Sequence, residues 1–112
     1  MNRWSIPVEL EREILARDRA CVYCGTAFAL SPTTRGALPS WEHIVNDAQI
    51  VTRQDIARCC VSCNASKGTK ELRRWLSSSY CKRKGISESS VARVVQEALA
   101  TFDMSKEMGH PQ

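Results

Sequence analysis

Two short cysteine pairs flank a Glu-His dipeptide in this sequence of 112 residues. The first pair lies in CVYCG and the second in CVSCN, and both have two residues between the cysteines. In a reducing compartment such pairs bind zinc more often than they form disulfides, because four thiolates complete a tetrahedral site with Zn–S bonds of about 2.3 Å. We therefore expect one structural zinc ion, held by Cys21, Cys24, Cys60 and Cys63.

Two further cysteines stand outside this pattern. Cys59 offers a second spacing with Cys63, but Cys60 repeats the two-residue gap of the first pair. Cysteine commonly packs in protein interiors as a small apolar residue, so we expect Cys59 and Cys81 to be packing residues. Disulfides or unused thiols are the alternative to zinc for the whole set.

The side chains beside the zinc pairs suit phosphodiester cleavage. Four thiolates leave no open position on a zinc ion, so any chemistry would lie next to it. Glu42 and Asn64 offer oxygen atoms of the kind that Mg²⁺ prefers, and such an ion would polarise the scissile phosphate. His43 can take a proton from the attacking water, because an unperturbed histidine has a pKa of about 6.5.

The local patterns predict a helix and then two strands around these residues. The helix should run from Ser5 and Pro7 to about Ala20. SWEHIV is the first candidate strand, with AQIV and DIARC as its continuation or its returning partner. Adjacent residues of a strand point to opposite faces, so Glu42 and His43 can share a site only if the strand ends or twists there.

Three helices are expected after the strands. CVSCNASK fits a short helix that Gly68 stops. A second helix should run from about Thr69 to Tyr80, with an apolar face that includes Trp75. A third should begin at Ser87, where apolar residues then recur at helical spacing up to position 102.

In these segments the sequence resembles the HNH endonuclease family, whose site is the ββα-metal motif. The likeness is carried by RDRACVYCG (17–25), EHI (42–44) and DIARCCVSCNASKG (55–68), within about residues 10–76. It implies an α+β fold, in which a zinc site of four cysteines holds a small ββα-metal core between an N-terminal helix and two C-terminal helices. The chain would be a single nuclease domain with a helical extension over about residues 86–105.

The resemblance also implies roles for individual residues. His43 would be the general base, and Asn64 would bind the catalytic divalent ion, Mg²⁺ or Mn²⁺. Glu42 stands where an Asp is more usual and would be the second ligand of that ion. Asp55 stands where the family usually has an Asn that supports the catalytic histidine, and Asn46 is the alternative for this supporting role.

The basic residues point to a nucleic acid as the partner. The net charge is +4, and residues 67–84 hold seven basic residues against one acid. A local excess of this size attracts phosphate backbones, although an isolated basic run is also typical of a solvated helix face. The residues predicted to contact DNA are Lys67, Lys70, Arg73 and Arg74.

Composition limits the remaining possibilities. The sequence has no apolar run near the roughly 20 residues of a membrane span, and its first residues lack a secretory signal. We therefore expect a cytoplasmic protein with no membrane partner and no small organic cofactor. The alternatives to a nuclease are a zinc-stapled nucleic-acid-binding module without catalysis and a small interaction protein in which zinc is only structural.

Overall fold

A two-stranded antiparallel sheet carries the Glu-His dipeptide in the computed structural model of the chain. Strand β1 is Pro39–His43 and strand β2 is Ile56–Cys60, with Glu42 opposite Ala57 and His43 opposite Ile56. The structure describes residues 6–29, 35–45, 47 and 51–108. Both strands were predicted, and β1 ends at the histidine.

Five helices surround the sheet in the described residues, so the chain has a small α+β fold, as predicted. They are α1 Val8–Arg17, α2 Val61–Lys67, α3 Leu72–Leu76, α4 Ser79–Lys84 and α5 Arg93–Met108, with a 3-10 turn at Arg35–Ala37. No described helix is long and apolar enough to cross a membrane.

Strand alternation divides the sheet into two faces that enter different cores. Ala57 and Cys59 belong to a core formed with the cysteine segments and helices α3 to α5, which we call the major core. Ile56 and Trp41 belong to a second core formed with α1, which we call the minor core. The major-core face carries Ser40, Glu42, Ala57 and Cys59, and the minor-core face carries Trp41, His43, Ile56 and Arg58.

Helix α1 packs on the minor-core face through Ile14, which is fully buried. The helix ends at Arg17 instead of near Ala20, because the Asp18 carboxylate accepts the backbone N–H of Arg58 at 3.1 Å and the chain then follows the edge of β2. Pro7 precedes the first helical residue. The predicted start at Ser5 lies outside the described residues.

Helix α2 follows β2 without a loop. The Cys60 sulfur accepts the backbone N–H of Cys63 and thereby caps the helix, and Gly68 ends it with a φ of 51°. A positive φ at this position favours glycine. The predicted short helix and its stop are confirmed.

The predicted helix over residues 69–80 is wrong, because the segment forms two helices instead of one. Glu71 caps α3 by accepting the backbone N–H groups of Arg73 and Arg74. Ser78 caps α4 by accepting the backbone N–H of Cys81. Side-chain acceptors of this kind start a new helix, so the chain turns between α3 and α4. The predicted apolar face is still buried at Leu72, Trp75 and Leu76.

The last helix begins at Arg93, later than the predicted start at Ser87. Ser87 and Ser90 exchange hydrogen bonds between their backbone N–H groups and hydroxyls, at 2.8 and 3.2 Å, and so form a turn. Serine competes with helix formation in this way. The predicted apolar positions Val91, Val94, Val95 and Leu99 are buried, and the side chain of Phe102 lies outside the described part of the chain.

Trp75 provides a test of the major core. Its ring is fully buried, meets Tyr23 edge to face at 4.9 Å, and donates from Nε1 to Ser66 Oγ at 2.9 Å. Trp75→Ala should lower the free energy of unfolding by about 3–5 kcal/mol, because it leaves a large cavity. Val8→Ala, at a residue that is 40% exposed, should change it by less than about 0.5 kcal/mol. Urea unfolding followed by circular dichroism measures both, and equal effects would contradict this account of the core.

Candidate metal centre and histidine site

The two cysteine pairs meet in space. The sulfur atoms of Cys21, Cys24, Cys60 and Cys63 all lie within 4.8 Å of one another. The Cys24 and Cys60 sulfurs are 3.9 Å apart, far longer than a disulfide bond of about 2.05 Å. Tetrahedral Zn–S bonds of about 2.3 Å place their sulfurs about 3.8 Å apart. The predicted grouping is therefore confirmed, and the four sulfurs could hold a metal ion.

Local hydrogen bonds favour negative charge on the Cys21 sulfur. Cys21 Sγ accepts the backbone N–H groups of Tyr23 and Cys24, both at 3.4 Å. The Tyr80 hydroxyl donates to Cys63 Sγ at 3.3 Å. The hydrogen bond between Cys21 and Cys63 lowers the pKa of Cys21 to about 5 and raises that of Cys63 far above its usual range. Cys21 is thus the more readily ionised thiol of the two, and a bound metal ion would displace the protons of both.

Cys59 and Cys81 lie outside this cluster. Both are fully buried, as expected for packing residues. The Cys59 side chain lies on the major-core face, where its sulfur is 3.7 Å from Ser40 Oγ. Burial raises the pKa of the Cys59 thiol well above its usual value, which disfavours a thiolate there. Cys60, and not Cys59, therefore pairs with Cys63 in the metal-binding cluster.

Metal removal should unfold the chain. The free energy of binding a structural ion becomes free energy of folding, so removal should lower the melting temperature by roughly 10–20 °C or more. Cys60→Ala should abolish stoichiometric metal binding, whereas Cys59→Ala should retain one ion per chain. Metal analysis and thermal unfolding of the purified variants measure this. An unchanged melting curve after verified removal would show that the ion does not hold the fold.

His43 and Asp55 form a pair at one end of the sheet. His43 is the last residue of β1, and Asp55 directly precedes β2 opposite it. His43 Nδ1 lies 3.0 Å from Asp55 Oδ2, and Asp55 Oδ1 accepts the backbone N–H of Val45 at 2.6 Å. One carboxylate thus orients the imidazole and fixes the turn after β1. The predicted alternative, Asn46, lies outside the described residues.

The charge on Asp55 determines the histidine tautomer. Burial raises the pKa of Asp55, while the Val45 N–H and His43 oppose that rise. An ionised Asp55 can only accept a hydrogen bond, so a neutral His43 must carry its proton on Nδ1. The lone pair is then on Nε2, which is the atom that would act as a base.

Glu42 does not join His43. Its side chain lies on the opposite face of β1, as the strand alternation requires, and the residue is 5% exposed. Glu42 Oε2 accepts a hydrogen bond from the Tyr23 hydroxyl at 2.7 Å and forms an ion pair with Lys67 Nζ at 3.0 Å. Burial raises the pKa of Glu42, and the nearby Lys67 charge opposes that rise.

Lys67 corrects one sequence prediction. It is 1% exposed, and besides Glu42 its Nζ lies 3.4 Å from the backbone carbonyl of His43. A buried ammonium in these contacts cannot reach a DNA phosphate, so the prediction that Lys67 contacts DNA is wrong. The helical position of Lys67 on α2 turns it toward β1 instead of toward the surface.

The predicted divalent-ion site does not fit this arrangement. The amide nitrogen of Asn64 donates to Ser40 Oγ at 2.9 Å and to the carbonyl of Trp41 at 3.1 Å, which anchors α2 on β1. Its proposed co-ligand Glu42 is already neutralised by Lys67, whose ammonium would repel a second cation at the same oxygen. Within residues 6–29, 35–45, 47 and 51–108, the cysteine cluster is the one grouping of three or more His, Cys, Asp or Glu side chains close enough to bind a metal ion.

The Glu42–Lys67 pair can be tested by a double-mutant cycle. Lys67→Met alone leaves a buried carboxylate without its counter-charge and should lower the free energy of unfolding by about 3–5 kcal/mol. Glu42→Gln keeps an acceptor for Tyr23, so the double variant should recover more than half of that loss. Urea unfolding at neutral pH measures all four proteins. Purely additive losses would show that the pair contributes no coupling.

The remaining predicted DNA contacts lie on the surface. Lys70 and Arg74 are exposed, and Lys70 Nζ donates to the Ser66 carbonyl at 3.0 Å. Arg73 forms an ion pair with Glu88 at 3.0 Å. Exposed Lys82, Arg83 and Lys84 follow on α4 and extend the same basic segment.

Two parts of the site were not predicted. Tyr23 lies between the cysteines of the first pair, and only the fold shows that its hydroxyl reaches Glu42. Arg58 lies between Phe28 and Trp41 on the face of the sheet that carries His43. A charged residue within the strand sequence IARCC was the available signal, because its neighbours Ala57 and Cys59 face the major core.

Comparisons of the chain with protein-family models, with curated proteins and with solved structures gave no match.

Proposed function

We propose that the protein is an endonuclease that hydrolyses DNA phosphodiester bonds with His43 as the general base. The observation that carries this proposal is the hydrogen bond of His43 Nδ1 with Asp55 at the end of β1. The order of β1, β2 and α2, with cysteine ligands at the junction of the last two, is consistent with the ββα-metal core that the resemblance implies.

The pair formed by His43 and Asp55 can carry out the proton transfer. Asp55 holds the imidazole by Nδ1, so Nε2 of His43 takes a proton from a water molecule as its oxygen attacks the phosphorus. The new P–O bond forms as the bond to the 3′ oxygen breaks, and the leaving oxygen takes a proton from solvent. Asp55 then stabilises the imidazolium that has formed, as a carboxylate does in other enzymes that pair a catalytic histidine with an aspartate.

The metal at the cysteine cluster is proposed to be structural zinc. Four cysteine ligands close the coordination sphere and leave no position for water or substrate. The resemblance additionally implies a catalytic Mg²⁺ or Mn²⁺ ion. The pairing of Glu42 with Lys67 disfavours such an ion on that carboxylate. The cleavage assay described below therefore measures activity with and without divalent ions.

DNA is the proposed substrate because the exposed basic residues Lys70, Arg74 and Lys82 to Lys84, together with Arg73, can contact phosphates. Phosphate contacts position a nucleic acid without reading its sequence. We therefore propose a nuclease with weak intrinsic sequence preference.

A second candidate is a zinc-stapled nucleic-acid-binding module without catalysis. The buried ion pair between Glu42 and Lys67 favours it, because this pair occupies the carboxylate that a catalytic ion would use. The two candidates share the basic surface and differ only in the need for His43.

A plasmid assay separates the two candidates. Wild-type protein should nick supercoiled DNA, and His43→Ala should lower the rate by about 10²–10⁴-fold because the general base is lost. Asp55→Asn should give a smaller loss, since the amide can still contact the ring. His110→Ala, at the only other histidine, should cleave at the wild-type rate.

The assay is run with Mg²⁺, with Mn²⁺ and with EDTA, after checking that the cysteine-bound ion is retained. DNA binding without cleavage by any of the proteins would favour the binding module. Equal cleavage by wild type and His43→Ala would contradict the role of His43. Full dependence on Mg²⁺ or Mn²⁺ would show that cleavage uses a divalent ion despite the pairing of Glu42 with Lys67.

A further inference from the structure

The Arg58 guanidinium lies over two aromatic rings on the face of the sheet that carries His43. Its guanidinium carbon lies 5.2 Å from the centroid of the Phe28 ring and 5.6 Å from that of Trp41. Trp41 is its direct cross-strand partner. Contacts of this kind contribute about 0.5–1 kcal/mol each at partly exposed sites. The two rings therefore favour a guanidinium position close to both of them.

The guanidinium is not used by the protein as a hydrogen-bond donor. Its Nε is buried and has no hydrogen-bond partner, and it is the one such side-chain atom among the described residues. No hydrogen bond among the described residues uses its terminal nitrogens, neither of them is fully buried, and Arg58 as a whole is partly exposed. Leaving a buried donor without a hydrogen bond costs about 1–3 kcal/mol. A residue chosen for packing alone would not carry this cost, so the unpaired Nε needs another explanation.

No carboxylate of the described residues pairs with this charge. The acid whose charge acts on Arg58 is Asp18, whose carboxylate binds the Arg17 guanidinium at 2.7 and 2.8 Å and the backbone N–H of Arg58 at 3.1 Å. Burial lowers the pKa of Arg58 and the Asp18 charge opposes that change. Arginine nevertheless stays charged at neutral pH. Arg58 thus presents a cation, and the acid that acts on its charge is already paired with Arg17.

Arg58 is also close to the proposed base. Trp41 and His43 lie two residues apart on β1, on one face, and Arg58 is opposite Trp41. Residues in such a diagonal relation are about 7–8 Å apart. Phosphates of one DNA strand follow one another every 3.4 Å or so along the axis. Phosphates of one strand are therefore spaced closely enough to contact both side chains, which are partly exposed beside the minor core.

We propose that Arg58 is a substrate-binding residue that contacts a DNA phosphate next to the bond cleaved at His43. This proposal rests on the proposed function and adds a binding residue outside the basic segment of α3 and α4. The two rings hold the guanidinium in place before binding, so less side-chain entropy is lost when the phosphate arrives.

Salt-dependent DNA binding tests the proposal. Loss of one phosphate contact should reduce the slope of log K against log salt by about 0.9 and weaken binding several-fold at low salt. Arg58→Met should show this change, together with a higher KM for cleavage. Arg93→Met is the matched control, because Arg93 is 91% exposed on α5 and pairs only locally with Glu97. The slope for Arg93→Met should change by less than half as much as the slope for Arg58→Met.

Fluorescence anisotropy with a labelled duplex over a KCl series gives the slopes, for proteins with equal metal content and equal circular dichroism. Arg58→Met and Arg93→Met with equal slopes would overturn the role of Arg58 while leaving the proposed function intact. Failure of the wild-type protein to bind DNA at any salt concentration would overturn both. A reduced slope in Arg58→Met, with no cleavage by wild type, would support the contact within a binding module.

A second measurement on the wild-type chain covers the case in which Arg58→Met does not fold. Phenylglyoxal modifies arginine side chains, and peptide mapping shows which residues have reacted. Bound DNA should slow modification of Arg58 at least several-fold and leave that of Arg93 unchanged. Equal modification of Arg58 with and without DNA would overturn the proposal.

Discussion

The cluster of four cysteine sulfurs is the constraint on which the rest of the structure depends. It joins the segment after α1 to the junction of β2 and α2, so the start of α2 is fixed against the sheet. The first cysteine segment is also clamped on both sides, because Val22 donates to the Arg58 carbonyl at 3.2 Å and accepts from Ala92 at 2.8 Å. Sheet, cysteine cluster and C-terminal helices therefore form one unit.

The sequence predicts features that depend on short-range patterns. The cysteine spacing predicted the cluster, and Gly68 predicted the end of α2. The break between α3 and α4 was missed because the apolar period of Leu72, Trp75 and Leu76 continues across it to Tyr80. Capping by Ser78 decides that break, and a single serine is a weak signal in a sequence with many serines.

The arrangement of the candidate site could be predicted only in part. A histidine at the end of a strand and an acid before the next strand were both visible in the sequence, and their contact follows from the antiparallel register. The pairing of Glu42 with Lys67 was not visible, because it depends on the rotation of α2 against β1. Burial of a lysine is rare enough that a surface role is the natural expectation from sequence.

The two faces of the sheet also determine how this sequence can vary. Alternation along the strands sends Ala57 and Cys59 into the major core and Ile56 and Trp41 into the minor core. Insertion or deletion of one residue within β1 moves every side chain of the strand to the other face. The length of this five-residue strand is therefore under stronger constraint than most of its side chains.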